Sequence, residues 1–342
     1  MSTMKNMKIL VYIAALCLIF LSGCSKKAET VSQQPTLLFE GAAYPNITFH
    51  NGKYYFTCQS PDINLYVADN IDSLATASPI VILNGAENGM MNIWSPEISR
   101  IGDKWYIYFE ADDGNTDNHQ LYVLENTEED PLEGEWSLHG PIITNEEWNF
   151  GIHPSTFNIG ERQFLLWSGW EHRRAETETQ CIFIAEMENP WTLKSGRVLL
   201  SRPQYEWERQ WITPYGTRSA YPIFVNENPE GFLSPDSSRV FIAYSASGIW
   251  TPYSIVGMLH ADVNSDLLEP ASWTKLPEPM SPVYDTNSDI VGISNISVIT
   301  PTPDEPTLVL FQGHHLVDDQ KYSDIYVQNV TWSPDGLPSF NF

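Results

Sequence analysis

The chain has 342 residues and a formal net charge of −25, with 43 acidic against 18 basic side chains. This acidic balance leaves no basic footprint and argues against a nucleic-acid partner. Aromatic residues make up 13% of the chain and include 12 tryptophans, which suits a β-rich core, sugar-stacking surfaces, or both.

Residues 1–24 are predicted to be a lipoprotein signal peptide. An apolar run over residues 9–21 follows lysines, is too short to span a bilayer comfortably, and ends in small residues. Leu21-Ser22-Gly23-Cys24 resembles the bacterial lipobox, which predicts lipidation at Cys24 and attachment to a bacterial membrane, periplasmic or surface-facing. An ordinary secretory signal with a chance cysteine is the alternative. Residues 25–35 form a polar tether.

Residues 36–342 contain a repeated strand pair that predicts an all-β fold, a five-bladed β-propeller. Each unit has an inner strand, a turn and a second strand rich in aromatic or β-branched residues, with a third strand after it. No unit shows a helical period of useful length. The inner strands are predicted over residues 44–49, 95–98, 153–157, 221–225 and 294–299.

Proline stands at the start of four of these inner strands. A proline is tolerated at a first strand position, because its missing N–H breaks no ladder there. In a propeller this position lies at the mouth of the central channel. The residues just before the prolines are therefore expected near one end of the axis, where a ligand would bind: Tyr44, Ser95, His153 and Tyr221.

Trp94-Ser95-Pro96-Glu97 is one of a series of ordered motifs that extends over almost all of residues 36–342. The other segments are residues 104–109 with 112–115, 167–171, 189–193, 200–208, 243–252 and 335–338. Together they resemble glycoside hydrolase family 43, in its arabinofuranosidase-like branch, and residues 94–97 are similar to the family's Trp-Ala-Pro-Glu. The resemblance implies a five-bladed propeller that hydrolyses arabinose- or xylose-containing glycans with inversion. Such a site has an acid, a base and a third carboxylate that tunes their pKa values.

Two of the three carboxylates that the resemblance implies are replaced. The base position, in the family's Ala-Asp-Pro, is Tyr44, and the tuning position, in an Ile-Asp pair, is His153. A tyrosine, with an ordinary pKa of about 10, is a poor base at neutral pH, whereas a histidine near 6.5 ionises in the working range. Tyr44 and His153 together could act as acid and base, or could line a pocket that only binds glycan.

The acid position, in the family's Asn-Glu-Gly-Pro motif, admits two alignments. Residues 219–222 place Ala220 there, whereas residues 226–229 place Glu227 there. The first is favoured, because it puts the strand formers of residues 223–225 on the inner strand and restores the Tyr-Pro pattern of the first unit.

Trp94, Tyr221 and Asn295 are the candidate substrate-binding residues. Trp94 is either a sugar platform at the channel mouth or a core tryptophan, and both remain open. Asn295 stands where the family often has a metal-linked histidine, so neither a central metal nor another cofactor is expected. The expected partner is a poly- or oligosaccharide, the membrane being reached only through the lipid anchor. We expect a monomer.

A polar cluster and two cysteines complete the candidates. Asp112, Asp113, Asp117 and His119 share one loop, for which solvated Asx turns are favoured over a cation loop, since the closing glutamate is missing. Cys58 and Cys181 lie in β-type runs and are expected as buried free thiols.

Two functions follow from the sequence. The first is a family 43-like hydrolase of arabinose- or xylose-containing glycans that is catalytically degenerate. The second is a non-catalytic glycan-binding surface lipoprotein; a platform that binds protein is a weaker third. Loss of a general base alone removes a factor of roughly 10² to 10⁴ in rate. Activity on standard arabinosides or xylosides is therefore expected to be absent or very weak.

Overall fold

The computed structural model describes residues 34–342 except 174–177, 213–217, 286 and 318–319, and it describes only the backbone at 178, 212, 218–222, 316–317 and 320–321. Cys24 and the predicted signal peptide lie outside the described residues. Within the described part of the chain, no helix is long and apolar enough to cross a membrane.

The first two predicted units are four-stranded antiparallel sheets in simple chain order. Their strands follow the alternation of aromatic and β-branched residues with Gly and Asn turns that the sequence shows. The first sheet is β2 (Asn46–His50), β3 (Lys53–Thr57), β4 (Ile63–Ala68) and β5 (Ile80–Leu83). The second is β6 (Glu97–Ile101), β7 (Lys104–Ala111), β8 (Gln120–Asn126) and β9 (Ser137–Ile142).

The third and fourth units are also antiparallel, and they are joined by a short parallel pairing of β12 with β16. The third sheet is β10 (Ile152–Ile159), β11 (Arg162–Gly169), β12 (Glu178–Asn189) and β14 (Val198–Ser201), with β13 (Thr192–Leu193) beside β12. The fourth is β16 (Arg218–Leu233), β17 (Arg239–Ala246), β18 (Ile255–Asp262) and β19 (Thr274–Lys275), with β15 (Arg209–Ile212) beside β16.

The fifth unit takes its outer strand from the beginning of the fold. It is β20 (Val291–Ile299), β21 (Leu308–Val317), β22 (Gln320–Asn329) and β1 (Thr36–Phe39), and β1 pairs antiparallel with β22. A last hairpin joins β23 (Thr331–Trp332) to β24 (Pro338–Ser339). The helical segments described are short 3₁₀ helices at Ile71–Thr76, Ala86–Asn88, Thr116–Asn118, Glu206–Glu208 and Pro270–Ser272.

The core lies between neighbouring sheets. Trp105 and Tyr55 pack between the first and second sheets, and Trp167 packs between the second and third. A further cluster joins the fifth sheet to the first, with Leu310 and Ile325 against Phe56. Full burial of such a side chain stabilises the fold by about 1.5–3 kcal/mol, so these clusters hold successive sheets together.

The inner strand of the fourth sheet begins later than predicted. The sequence predicts it over residues 221–225, but Ile223 and Val225 pair with β12 and β15 instead. The residues that pair with β17 run from Asn226 to Leu233. Good strand formers therefore do form a strand at 223–225, but at the junction with the third sheet.

Cys58 and Cys181 are both buried and carry free thiols, as expected. Burial raises the pKa of Cys58 to about 11 and that of Cys181 to about 12. Neither thiol is therefore a nucleophile at neutral pH, since only the thiolate reacts.

Candidate active site

A cavity of about 420 Å³ gathers residues from several of the sheets. Tyr44 borders it from the first unit, Trp94 from the second, His153 from the third and Glu227 from the fourth. Four residues singled out from the sequence thus meet at one cavity, which is large enough for a sugar ring.

In four of the units, one residue on the inner strand or just before it has the same unusual backbone conformation. Tyr44, His153, Asn228 and Asn295 have φ values of 55°, 53°, 50° and 51°. Non-glycine residues rarely adopt this left-handed region, and they cluster at functional sites when they do. The repeated strain marks equivalent positions in four of the units.

This repeated geometry supports the alignment that places Glu227 at the acid position. Asn228 takes the place of the glycine in Asn-Glu-Gly-Pro, and its positive φ is one that glycine adopts freely. Strand β16 also loses register between Glu227 and Glu230, as β10 does between Ile152 and Ser155. Ala220 and Tyr221 fall where only the backbone is described, so their predicted roles stay predictions.

Glu227 lies buried in the cavity wall. One of its carboxylate oxygens accepts a hydrogen bond from the backbone N–H of Ile249 at 2.9 Å. Asn226 beside it donates to the buried carboxylate of Glu208, which also contacts Lys275 at 2.5 Å. A polar network therefore fixes the strand that carries Glu227.

Tyr44 fills the predicted base position with a group that cannot act as a base. Its ring centroid lies 5.4 Å from that of His153, and its backbone N–H donates to Gln312 at 3.3 Å. Burial raises the pKa of Tyr44 well above 10, and the nearby carboxylates of Glu227 and Glu110 raise it further. Tyr44 is therefore a neutral phenol at any working pH.

His153 does not ionise in the working range, contrary to the expectation from its ordinary pKa. It is buried, and burial followed by the charge of His119 lowers its pKa to about 3. Its Nδ1 lies 3.5 Å from the Ser168 hydroxyl, which accepts from the N–H of Asn228. Its Nε2 lies 3.9 Å from Glu110 and has no hydrogen-bond partner. The ring is thus neutral.

Glu110 is a site residue that the sequence reasoning missed. Its carboxylate is fully buried behind His153, and the Ser95 hydroxyl lies 2.9 Å from each of its oxygens. Burial raises its pKa, against the charge of His119. The feature of the sequence that could have identified Glu110 is a single glutamate directly after the apolar run 105–109 on β7.

Trp94 is half-buried and faces the cavity, which favours the platform over the core position. Its ring centroid lies 4.1 Å from that of His119 and 6.4 Å from that of His153. Phe150 and Trp170 stack at 3.8 Å on the same cavity wall. A half-exposed aromatic face such as that of Trp94 suits a sugar ring, whereas the buried Phe150–Trp170 stack supplies apolar wall.

The polar loop forms Asx turns, but it is not simply solvated. Asp112 accepts from the N–H of Gly114 at 2.7 Å, and Asp113 accepts from that of Asn115 at 3.2 Å. Asp112 and His119 are nevertheless buried. The ring nitrogens of His119 each lie 3.0 Å from a backbone carbonyl oxygen, those of Thr116 and Asn92. In the described residues no group of His, Cys, Asp or Glu side chains is arranged to hold a metal ion.

Asn295 lies behind the cavity wall. Its side-chain amide donates to Gln312 at 2.6 Å, and Gln312 borders the cavity beside Tyr44. The structure therefore gives Asn295 a role in orienting Gln312 and shows no direct cavity contact for it.

A second, small cavity of about 20 Å³ also borders Tyr44. Two buried carboxylates border it, Glu97 and Glu230. Burial raises the pKa of Glu230 to about 7 and raises that of Glu97 well above its ordinary value, with the charge of Glu230 adding to the latter. At least one of these groups holds a proton at neutral pH.

Known relatives share most of this chain. Alpha-L-arabinofuranosidase B of Pyricularia oryzae is 31% identical over 329 residues, which are 92% of this chain and 64% of the relative. The chain thus spans less than two thirds of that protein. An extracellular exo-alpha-(1->5)-L-arabinofuranosidase of Streptomyces chartreusis is 33% identical over 274 residues, 78% of each chain.

Solved structures are also similar to this chain. The alpha-L-arabinofuranosidase of Lactobacillus brevis is 30% identical with a TM-score of 0.76, covering 89% of this chain and 94% of its own. An exo-1,5-alpha-L-arabinanase from a bovine ruminal metagenomic library shares the fold at 15% identity and a TM-score of 0.63, covering 90% and 98%. The model of glycosyl hydrolases family 43 matches residues 34–338. The chain described here therefore belongs to glycosyl hydrolases family 43.

Proposed function

We propose that this protein binds arabinose- or xylose-containing oligosaccharides in the 420 Å³ cavity and hydrolyses them weakly. The observation that carries the proposal is that Glu227, Tyr44 and His153 line one cavity. We assign Glu227 to the acid position, and Tyr44 and His153 to the positions where the base and the tuning carboxylate are expected. The relatives named as arabinofuranosidases favour an α-L-arabinofuranoside as the substrate.

The same proposal includes a five-bladed propeller closed around an axis through the two cavities. Five four-stranded units follow one another, and β1 from the start of the fold completes the last of them. The core cluster between the fifth and first sheets supports closure. Radial repetition of this kind leaves only short, protected sheet edges.

We expect weak hydrolysis because of the protonation states of the residues in the cavity wall. An inverting reaction needs a base that takes a proton from water while the acid protonates the leaving oxygen. Tyr44 holds its proton, and His153, with a pKa of about 3, is neutral but has one nitrogen near Ser168 and the other turned towards Glu110. Neither can replace a solvent-facing carboxylate.

The alternative function is glycan binding without turnover. It is favoured by the same two replacements, which leave Trp94 as a sugar platform and the buried Phe150–Trp170 stack as part of the apolar cavity wall. Turnover by the wild-type protein separates the two functions, because a purely binding protein leaves the oligosaccharide intact.

The protein is proposed to be a monomer held at the cell envelope by lipid on Cys24. Relatives named as extracellular support a location outside the cytoplasm. Metabolic labelling with a radioactive fatty acid should tag the wild-type protein and leave Cys24→Ala unlabelled. Equal labelling of both proteins would contradict the anchor.

Trp94→Ala should weaken oligosaccharide binding by about 10- to 100-fold. Burying a large aromatic face against a sugar contributes about 1.5–3 kcal/mol, and tenfold corresponds to about 1.4 kcal/mol. Calorimetric titration with α-1,5-linked arabino-oligosaccharides and with xylo-oligosaccharides measures the change. The matched control is Trp211→Ala, because Trp211 is exposed and packs on Phe224. Equal affinity of wild type and Trp94→Ala would remove Trp94 from the site.

A further inference from the structure

We propose that Asp117 is the water-activating base of this protein's residual hydrolysis, acting opposite Glu227 as the acid. The inference deepens the proposed function and rests on it. Asp117 and Glu227 are the two carboxylate side chains among the described residues that border the 420 Å³ cavity. In this proposal the base lies on a loop of the second unit, whereas the family's base position lies in the first unit.

Asp117 is held at the cavity rim by its loop. It lies in the 3₁₀ turn Thr116–Asn118, and its backbone N–H donates to the side chain of Asn115 at 3.1 Å. His119 closes the turn through the carbonyls of Thr116 and Asn92. These contacts hold the backbone of the loop that carries Asp117 at the cavity, and a catalytic group requires positioning of this kind.

Asp117 and the proposed sugar platform, Trp94, border the same cavity. His119, two residues later, lies with its ring centroid 4.1 Å from that of Trp94. Glu227 approaches the same cavity from the fourth sheet, anchored by the N–H of Ile249. A sugar ring on Trp94 would therefore have one carboxylate on the loop side and one on the strand side.

The two carboxylates differ in burial, and this difference suits different roles. Glu227 is 1% exposed, whereas Asp117 is partly open to solvent and can reach a water molecule in the cavity. Lysozyme-type sites divide acid and partner carboxylates in the same way, with the acid in the more buried place. Glu110 cannot take the base's role, because it is fully buried and does not border the cavity.

The proposed step is an inverting hydrolysis. The oxygen of a cavity water forms a bond to the anomeric carbon while the glycosidic C–O bond breaks. Asp117 takes the proton that the water loses, and Glu227 gives its proton to the leaving oxygen. The products are a free sugar of inverted configuration and the shortened oligosaccharide, and solvent returns both carboxyl groups to their starting states.

The test measures turnover and binding on one set of variants. Wild type, Asp117→Asn, Glu227→Gln and the control Asp113→Asn are incubated at high protein concentration with α-1,5-linked arabinotriose. Asp113→Asn matches the change in charge on the same loop but lies outside the cavity and keeps its turn acceptor. Chromatography measures the amount of product, and NMR identifies the anomer that forms first. Calorimetry measures the affinity for the oligosaccharide.

We expect slow turnover with inversion in the wild type and in Asp113→Asn. Asp117→Asn should lower kcat by about 10²- to 10⁴-fold, as loss of a general base does, with affinity unchanged within about threefold. Azide should restore bond cleavage in Asp117→Asn, since this anion attacks the anomeric carbon without a base and yields a glycosyl azide. It should not restore Glu227→Gln, which lacks the acid.

Three results would overturn the inference. If Asp117→Asn turns over as fast as the wild type, Asp117 takes no part in the reaction. If the product retains its configuration, the reaction is not an inverting hydrolysis. Binding without any wild-type turnover also overturns the inference, while leaving the glycan-binding alternative standing. Absence of binding to all the oligosaccharides would instead be the failure of the proposed function itself.

Discussion

The double variant Tyr44→Asp, His153→Asp should hydrolyse α-1,5-linked arabino-oligosaccharides at least about 100-fold faster than the wild type. Both positions border the cavity that holds Glu227, so two carboxylates would complete the acid–base set expected of the family. A positioned general base contributes about 10²- to 10⁴-fold in rate. Initial rates of reducing-sugar release at saturating substrate measure the effect.

Two controls make this expectation specific. Adding Glu227→Gln to the double variant should return the rate to the wild-type level or below, because the acid is then lost. Thermal unfolding and oligosaccharide affinity show whether the buried substitutions are tolerated. A folded double variant that binds the oligosaccharide but gains no activity would show that the replaced carboxylates are not the cause of weak turnover.

Stability should fall as pH rises from about 5 to 8, and Glu230→Gln should remove much of this fall. Burial raises the pKa of Glu230 from 4.5 to about 7, so the folded state keeps a proton that the unfolded state releases. Over this range the folded state binds more protons, and the free energy of unfolding therefore decreases with pH. At about 1.4 kcal/mol per pKa unit, the loss is on the order of 3 kcal/mol.

Glu97 contributes with the same sign, because its pKa is also raised. Glu230→Gln mimics the protonated side chain and keeps an acceptor for the N–H of Val298, which lies 3.1 Å away. Urea unfolding at pH 5 and pH 8 compares wild type, Glu230→Gln and the exposed control Glu128→Gln. A wild-type pH dependence that persists unchanged in Glu230→Gln would show that the proton resides elsewhere.

The strand pairs could be predicted because they depend on local pattern. Aromatic runs such as 105–109, the turn at Gly102 and the prolines at strand starts are visible in the chain, and each corresponds to a described strand or turn. The convergence of Tyr44, Trp94 and His153 on one cavity followed from placing these units around an axis.

The acid position could not be settled in the same way. Residues 223–225 have the composition of an inner strand and do form β structure, but pairing with β12 and β15 decides their place. The pairing of residues 226–233 with β17, and its loss of register beside Glu227, are properties of two strands together. Local strand propensity therefore favoured Ala220, whereas long-range pairing favours Glu227.

The protonation states of the site residues could not be predicted from the sequence either. An ordinary histidine titrates near pH 6.5, and only burial beside His119 lowers the pKa of His153 to about 3. Glu110 lies on a strand among apolar residues, and its position behind His153 depends on how the second and third sheets pack. Composition cannot show which carboxylates face each other across a core.

A crystal structure of the wild-type protein after a short soak with α-1,5-linked arabinotriose tests the central claim most directly. The account predicts an intact oligosaccharide in the cavity, with one furanose ring on Trp94 and a glycosidic oxygen within hydrogen-bond distance of the Glu227 carboxyl group. A cavity that holds only cleaved arabinose, or an oligosaccharide bound away from Trp94 and Glu227, would contradict it.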